Sequence, residues 1–167
     1  KSQKYYKVFS SDGLAQENIF DEDTGFMVIS GQKKDLGVIK YCSEGLKKIY
    51  GESIVGQNLV VVLPNLMRSS HSNVIAESLN SKDNEHFNKI ELKLCVDKDG
   101  FLIQVSNYLN ISPMLTEGLN FYLLSRKCKT QKDFIMINNE GHIENYSRSI
   151  AEKLDLPLTG MNANSKL

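Results

Sequence analysis

The sequence predicts an α+β domain built on an antiparallel sheet, and three observations carry the prediction. Hydrophobic residues alternate at period two from Ile90 to Leu123. Two short runs rich in β-branched and aromatic residues, Phe26–Ile29 and Gly37–Tyr41, come before that region. A stretch with helical spacing, about Asn65 to Leu79, lies between them, so strands and helices are segregated instead of alternating as βαβ units.

The first 25 residues are polar, with a short strand expected at Tyr5–Phe9 and a turn at Ser10-Ser11-Asp12-Gly13. Phe26–Ile29 and Gly37–Tyr41 read as two strands joined by the polar loop Ser30–Asp35. Ser43 is placed to cap a helix, because its hydroxyl can accept from an orphan N–H of the first turn. Leu46, Ile49 and Tyr50 follow at helical spacing, and Gly51 stops the run. Ile54–Pro64 has the composition of a strand and the setting of short helices, and Pro64 disfavours helix at Leu63. In the following helix Met67, His71, Val74, Ile75 and Ser78 share one face, with Arg68, Ser72 and Asn73 off it. Ser81–Asn88 is a polar loop.

Ile90, Leu92, Leu94 and Val96 point one way along the next strand, and Glu91, Lys93 and Cys95 the other. Asp97-Lys98-Asp99-Gly100 is a hairpin turn. Phe101, Ile103, Val105, Asn107, Leu109 and Ile111 form one face of a second long strand, which Pro113 is expected to end. After a turn at Glu117-Gly118, Leu119, Phe121 and Leu123 give a third strand its face. Residues 127–132 read as a linker. From Asp133 the opening theme returns: an apolar run, a turn with Gly141, a short strand, and Ser147 ahead of Ile150, Ala151 and Leu154. An echo on the scale of a domain suggests a tandem array. Residues 1–25 are thus a leading segment, 26–126 a complete domain, and 133–167 part of a second unit, cut from a longer protein.

Twenty basic residues stand against twenty acidic ones, so the net charge is zero. A partner held through its phosphates would call for a basic excess, so nucleic acid is not expected. Cys42, Cys95 and Cys128 are far apart with no CxxC pair, which excludes a disulfide scaffold and a structural zinc site. The same usage fits a reducing compartment, so an intracellular, cytoplasmic address is expected. The longest apolar run, Leu59–Leu63, is five residues, too short to enter a bilayer. No Walker loop, HExxH or Ser-His-Asp arrangement is present, and no enzyme is expected.

Several motifs occur in one order. Gly37-Val38-Ile39-Lys40-Tyr41-Cys42-Ser43-Glu44-Gly45-Leu46 leads to Ile49-Tyr50-Gly51. Val55-Gly56-Gln57-Asn58-Leu59, Leu63-Pro64, His71 and Lys98-Asp99-Gly100-Phe101 follow. In this order and spacing the chain resembles a PAS domain of the S-box type, with a second one beginning near Lys132. It is most similar to modules of large eukaryotic proteins that carry many of them. The resemblance covers residues 26–126 in full and 133–156 in part. It implies a five-stranded antiparallel sheet of order 2-1-5-4-3 with short helices across one face.

The resemblance also sets the candidate sites. Some members bind flavin, haem or metabolites between helices and sheet. Here that pocket, or the core that fills it, would comprise Met67, His71, Val74, Leu94, Ile103, Val105 and Leu123. Flavin photochemistry needs a cysteine directly after Gly-x-Asn, and Leu59 stands there. His71 has the spacing from Pro64 of a haem ligand, and a neutral imidazole suits iron. The distal arginine of haem sensors would fall near Glu91, whose carboxylate cannot stabilise bound oxygen as a guanidinium does. No cofactor or metal is therefore expected, and His71 is read as structural. The function expected is protein–protein interaction and scaffolding beside a neighbouring PAS module, within a larger signalling or assembly protein. The outer sheet face, Leu102, Gln104, Ser106, Tyr108, Asn110, Tyr122 and Leu124, is its expected surface, unless residues 133–167 cover it. The alternative is a small-molecule or haem-binding sensor that regulates an output domain elsewhere in the chain.

Overall fold

The computed structural model describes residues 23–80, 87–114 and 118–157. The strand and turn expected within residues 5–13, and residues 81–86 of the expected polar loop, lie outside them. The chain forms β1 (Thr24–Ser30), β2 (Ile39–Cys42), α1 (Glu44–Tyr50), two 3₁₀ turns (Glu52–Ile54 and Leu59–Val62) and α2 (Asn65–Asn80). β3 (Ile90–Val96), β4 (Leu102–Met114) and β5 (Gly118–Lys127) complete one antiparallel sheet of order β2-β1-β5-β4-β3. A separate hairpin of β6 (Ile135–Ile137) and β7 (Ile143–Tyr146) leads into α3 (Arg148–Leu154). The fold is α+β, with the sheet order that the resemblance implied.

Alternating residues of β1, β4 and β5 meet the helices on one face. Met27, Ile39, Leu46 and Val105 are wholly buried there, each contributing about 1.5–3 kcal/mol relative to exposure. Register decides which residues of β3 join them. Cys95 stands opposite Ile103, Lys93 opposite Val105 and Glu91 opposite Asn107. Directly opposed residues share a face, so this charged set looks toward the helices while Leu94, opposite Gln104, looks away. The ambiguous stretch after α1 becomes 3₁₀ turns because Asn58 supplies the second with a cap. Its Oδ1 accepts from the Val60 N–H at 3.1 Å, and its Nδ2 donates to the Leu36 carbonyl at 2.9 Å.

Four expectations are corrected. Ser43 precedes α1 but does not cap it with its side chain; its Oγ accepts from the Phe26 N–H at 3.0 Å, tying β1 to the helix start. Pro113 does not end β4, which continues to Met114; past Tyr108 none of the described strands flanks β4 on the β3 side, so a missing N–H is tolerated. Phe87, assigned to a polar loop, is buried and stacked on Phe121 with ring centroids 6.0 Å apart. Phe101 leaves the face of Ile103 and Val105 for a second cluster with Tyr146 and Ala151.

That second cluster joins the C-terminal unit to the sheet. The Phe101 ring meets Tyr146 edge-on at 6.0 Å, and the Arg148 guanidinium lies 4.3 Å over it while bonding Asp99 at 2.7 Å. The backbone N–H of Asn65, in the first turn of α2, donates to the buried Asn145 Oδ1 at 2.8 Å. The linker is pinned as well. Gln131 accepts from the Gln104 N–H at 2.7 Å and donates to the Gln104 carbonyl at 3.0 Å, which also accepts from the Cys128 N–H.

The C-terminal unit repeats the β1–β2–α1 unit bond for bond. Phe26 and Ser43 exchange two hydrogen bonds, N–H to Oγ at 3.0 Å and Ser43 N–H to Phe26 carbonyl at 2.9 Å; Phe134 and Ser147 do the same at 3.1 and 2.9 Å. The Ser30 N–H reaches the Val38 carbonyl at 2.8 Å, and the Asn138 N–H the His142 carbonyl at 2.9 Å. Each hairpin slips register once, between Val28 and Ile29 and between Met136 and Ile137. Gly37 and Gly141 occupy the same place in the two turns at φ +83° and +86°, a region closed to most other residues. The loop is four residues shorter in the second unit, and the helices begin alike, with Lys47 and Ala151 donating to the carbonyls of Ser43 and Ser147.

Candidate functional site

A cavity of about 300 Å³ lies between α2, the second 3₁₀ turn and the sheet. Met67, His71 and Ile75 enter it from α2, Leu59 and Val62 from the turn, and Met27, Ile29, Phe121 and Leu123 from the sheet floor. Lys89, Glu91 and Lys93 stand along one side, where both lysines are exposed. The lining is thus mostly hydrocarbon with a charged margin, as in many small-molecule sites.

Of the residues predicted for this pocket, Met67, His71 and Leu123 line it. Ile103 and Val105 are buried in the core and lie outside its lining. Leu94 lines it as well, although its register opposite Gln104 turns its side chain toward the other face of the sheet. Val74 lies on α2, and its side chain is not among those described. Sequence reading missed Phe87, Tyr50 and Asn107 as lining residues. Asn107 carried a signal, being the one polar member of an otherwise apolar face.

Two polar atoms in the lining residues are buried without a hydrogen-bond partner among the described residues: His71 Nδ1 and Asn107 Oδ1. Leaving such atoms unpaired costs about 1–3 kcal/mol each. Burial lowers the His71 pKa, so the imidazole is neutral at pH 7. Hydrogen bonds from Lys93 and Lys89, at 2.8 and 3.0 Å, overcome partial burial and hold the Glu91 carboxyl down at about 2. Glu91 is therefore an ionised, lysine-clasped group at the margin. Burial pushes the Cys42 and Cys95 thiols up to about 11, leaving both protonated at neutral pH. Among the described residues no group of three or more His, Cys, Asp or Glu side chains is arranged around a metal site.

The His71 environment gives a pH signature. Its folded pKa lies below the unfolded value near 6.5, so the unfolded chain binds the proton more readily. Stability is expected to fall as pH drops through about 6.5 toward the folded pKa, and to level off below it. Urea midpoints from pH 7.5 to 5 should decline more steeply for the unaltered protein than for His71→Gln. Parallel profiles would show that His71 is not desolvated.

The predicted partner surface differs from expectation. Leu102 and Tyr108 are only 2% and 6% exposed, and Gln104 has its main chain taken by the linker. Tyr122 and Leu124 are half-buried. These positions do not form an open face. The exposed apolar groups of that side lie toward the sheet margins. Phe26 and Tyr41 stack at 5.0 Å, 40% and 48% exposed, at the β1–β2 margin, and Leu92 is exposed on β3.

No family model matches the chain, and no curated protein matches it at a significant level. No helix among the described residues is long and apolar enough to cross a membrane.

Proposed function

We propose that the chain is a non-catalytic PAS-type module that mediates protein–protein contacts, in series with a second module of the same kind, inside a larger cytoplasmic signalling or scaffolding protein. The repeated β1–β2–α1 unit carries this reading, docked on the first domain through Phe101, Asn65 and Gln104. Its helix start and linker are used to fix one unit against the next, which is what a scaffold requires. The stacked Phe26–Tyr41 pair is the surface it offers to a partner, since exposed aromatics are enriched where proteins meet. The double substitution Phe26→Ser with Tyr41→Asp is expected to leave the melting temperature within a few degrees and to abolish association of the natural protein in its assembly. Unchanged association with unchanged stability would sink the proposal.

A second reading, a ligand-gated sensor, is favoured by one observation: the orphaned His71 Nδ1 and Asn107 Oδ1 sit in residues lining the cavity. They suit a small, largely apolar molecule carrying a hydrogen-bond donor for Asn107. His71 retains the donor chemistry of an axial haem ligand, while Glu91 gives bound oxygen no stabilising cation. Native mass spectrometry of the purified protein separates the two readings, because a sensor retains a mass increment and a scaffold does not.

A further inference from the structure

We propose that the outer edge of β3 pairs with the same edge of a second copy of this chain, antiparallel and centred on Leu92, so that the two sheets run on as one. The proposal is independent of both readings above, since it needs neither the Phe26–Tyr41 pair nor an occupied cavity.

β3 stands at one end of the sheet order, and among the described residues it pairs only with β4. The Asp97 N–H donates to the Phe101 carbonyl at 2.9 Å. Bonded positions alternate along an antiparallel pair, so Cys95, Lys93 and Glu91 turn their main-chain groups to β4. Leu94, Leu92 and Ile90 turn theirs to the outer edge, where a further strand is received. Leu92 is 63% exposed on it.

The sequence of the edge selects the occupant. Natural edges are often blunted by lysines, which repel a second copy of themselves. β3 instead carries one charge of each sign, Glu91 and Lys93, two positions apart on one face with Leu92 between them on the other. Two copies related by a two-fold axis normal to the sheet oppose residues of the same face. Three centres lay at least five of the seven residues of β3 against each other: Leu92, Lys93 and Leu94. A centre at Lys93 sets Lys93 against itself, and a centre at Leu94 sets Glu91 against Asp97; like charges directly opposite are destabilising. A centre at Leu92 sets each Glu91 against Lys93 of the other copy. On the opposite face it sets Leu92 against Leu92 and each Ile90 against Leu94. Charge and apolar surface are matched at once in this register alone. Its central residue is one whose main-chain groups face outward, so the two Leu92 residues exchange both hydrogen bonds.

The test is charge reversal and exchange in the 167-residue chain, read by sedimentation over a concentration series. The unaltered chain should dimerise. Lys93→Glu or Glu91→Lys should each weaken the dimer at least about tenfold, since each sets like charges opposite twice across the axis. The two together exchange the charges and should restore the dissociation constant to within about threefold. A cross-link keeps the test independent of those variants. In a Cys128→Ser background, where Cys42 and Cys95 are buried, Leu92→Cys is the edge position that meets itself. It should form an intermolecular disulfide under mild oxidation at least about tenfold faster than Ile90→Cys or Leu94→Cys, because opposed Cα atoms about 5.5 Å apart suit the bond. A chain that stays monomeric up to about 1 mM overturns the proposal. So does a dimer indifferent to the reversals, one that the exchange does not restore, or equal cross-linking at the three positions.

Discussion

Replacing Phe101 with alanine is expected to destabilise the protein by about 3–5 kcal/mol and to free the C-terminal unit. The ring is 0% exposed and serves two partners at once, the edge of Tyr146 and the guanidinium of Arg148. Its removal leaves a cavity at the joint and an unsupported arginine whose bond to half-exposed Asp99 is worth little alone. The β6–β7 hairpin is too small to persist without a surface to lean on. Urea unfolding should register the loss, and limited proteolysis should cut first within residues 133–156. Phe101→Leu keeps most of the volume and should recover most of the stability. A loss below about 1 kcal/mol with an unchanged proteolytic pattern would mean that the joint is held elsewhere.

Gly25→Val is expected to cost at least about 2–3 kcal/mol. Strand β1 runs so close to α1 that a Cβ on Gly25 would fall 2.1 Å from Ser43 Oγ and 2.9 Å from Leu46 Cγ. The serine hydroxyl could rotate away, but only by giving up the bond from the Phe26 N–H. Leu46 is fully buried and has nowhere to go. Two losses therefore add: a helix pushed off its strand and a broken tie. Thermal unfolding followed by circular dichroism should show a fall of roughly 8 °C or more for a domain of this size. The same substitution at Gly56, whose Cβ would meet nothing within 4 Å, separates steric crowding from backbone conformation.

Strands and helices were legible in the sequence because alternation and helical spacing are local. The order of elements, the helix from Asn65 and the turn at Asp97 all follow from neighbours within a few residues, and the echo at Asp133 from the same local patterns met twice. What was not legible depended on pairing. Period two shows that Leu94 and Cys95 point oppositely, but only the match of Cys95 to Ile103 shows which of them faces the helices. The same uncertainty left Asn107 unremarked as a lining residue. Phe101 and Phe87 were misread for a related reason, since each lies beside a turn and finds its partner far away in sequence. Leu102 and Tyr108 alternate with the core residues as surface groups do, yet they are buried, because burial of an outer sheet face depends on what covers it.

The Gln131 clamp on Gln104 has a mechanical consequence. The chain leaves β5 still lying along β4, with Cys128 and then Gln131 bonded to the same β4 residue. Tension carried by the linker would therefore reach the first domain along the strand direction, near the start of β4. Load along paired strands must break several hydrogen bonds together, whereas load across them opens one bond at a time. The Gln131 side chain, by bonding both the N–H and the carbonyl of Gln104, stands in for one more residue of strand beside β4.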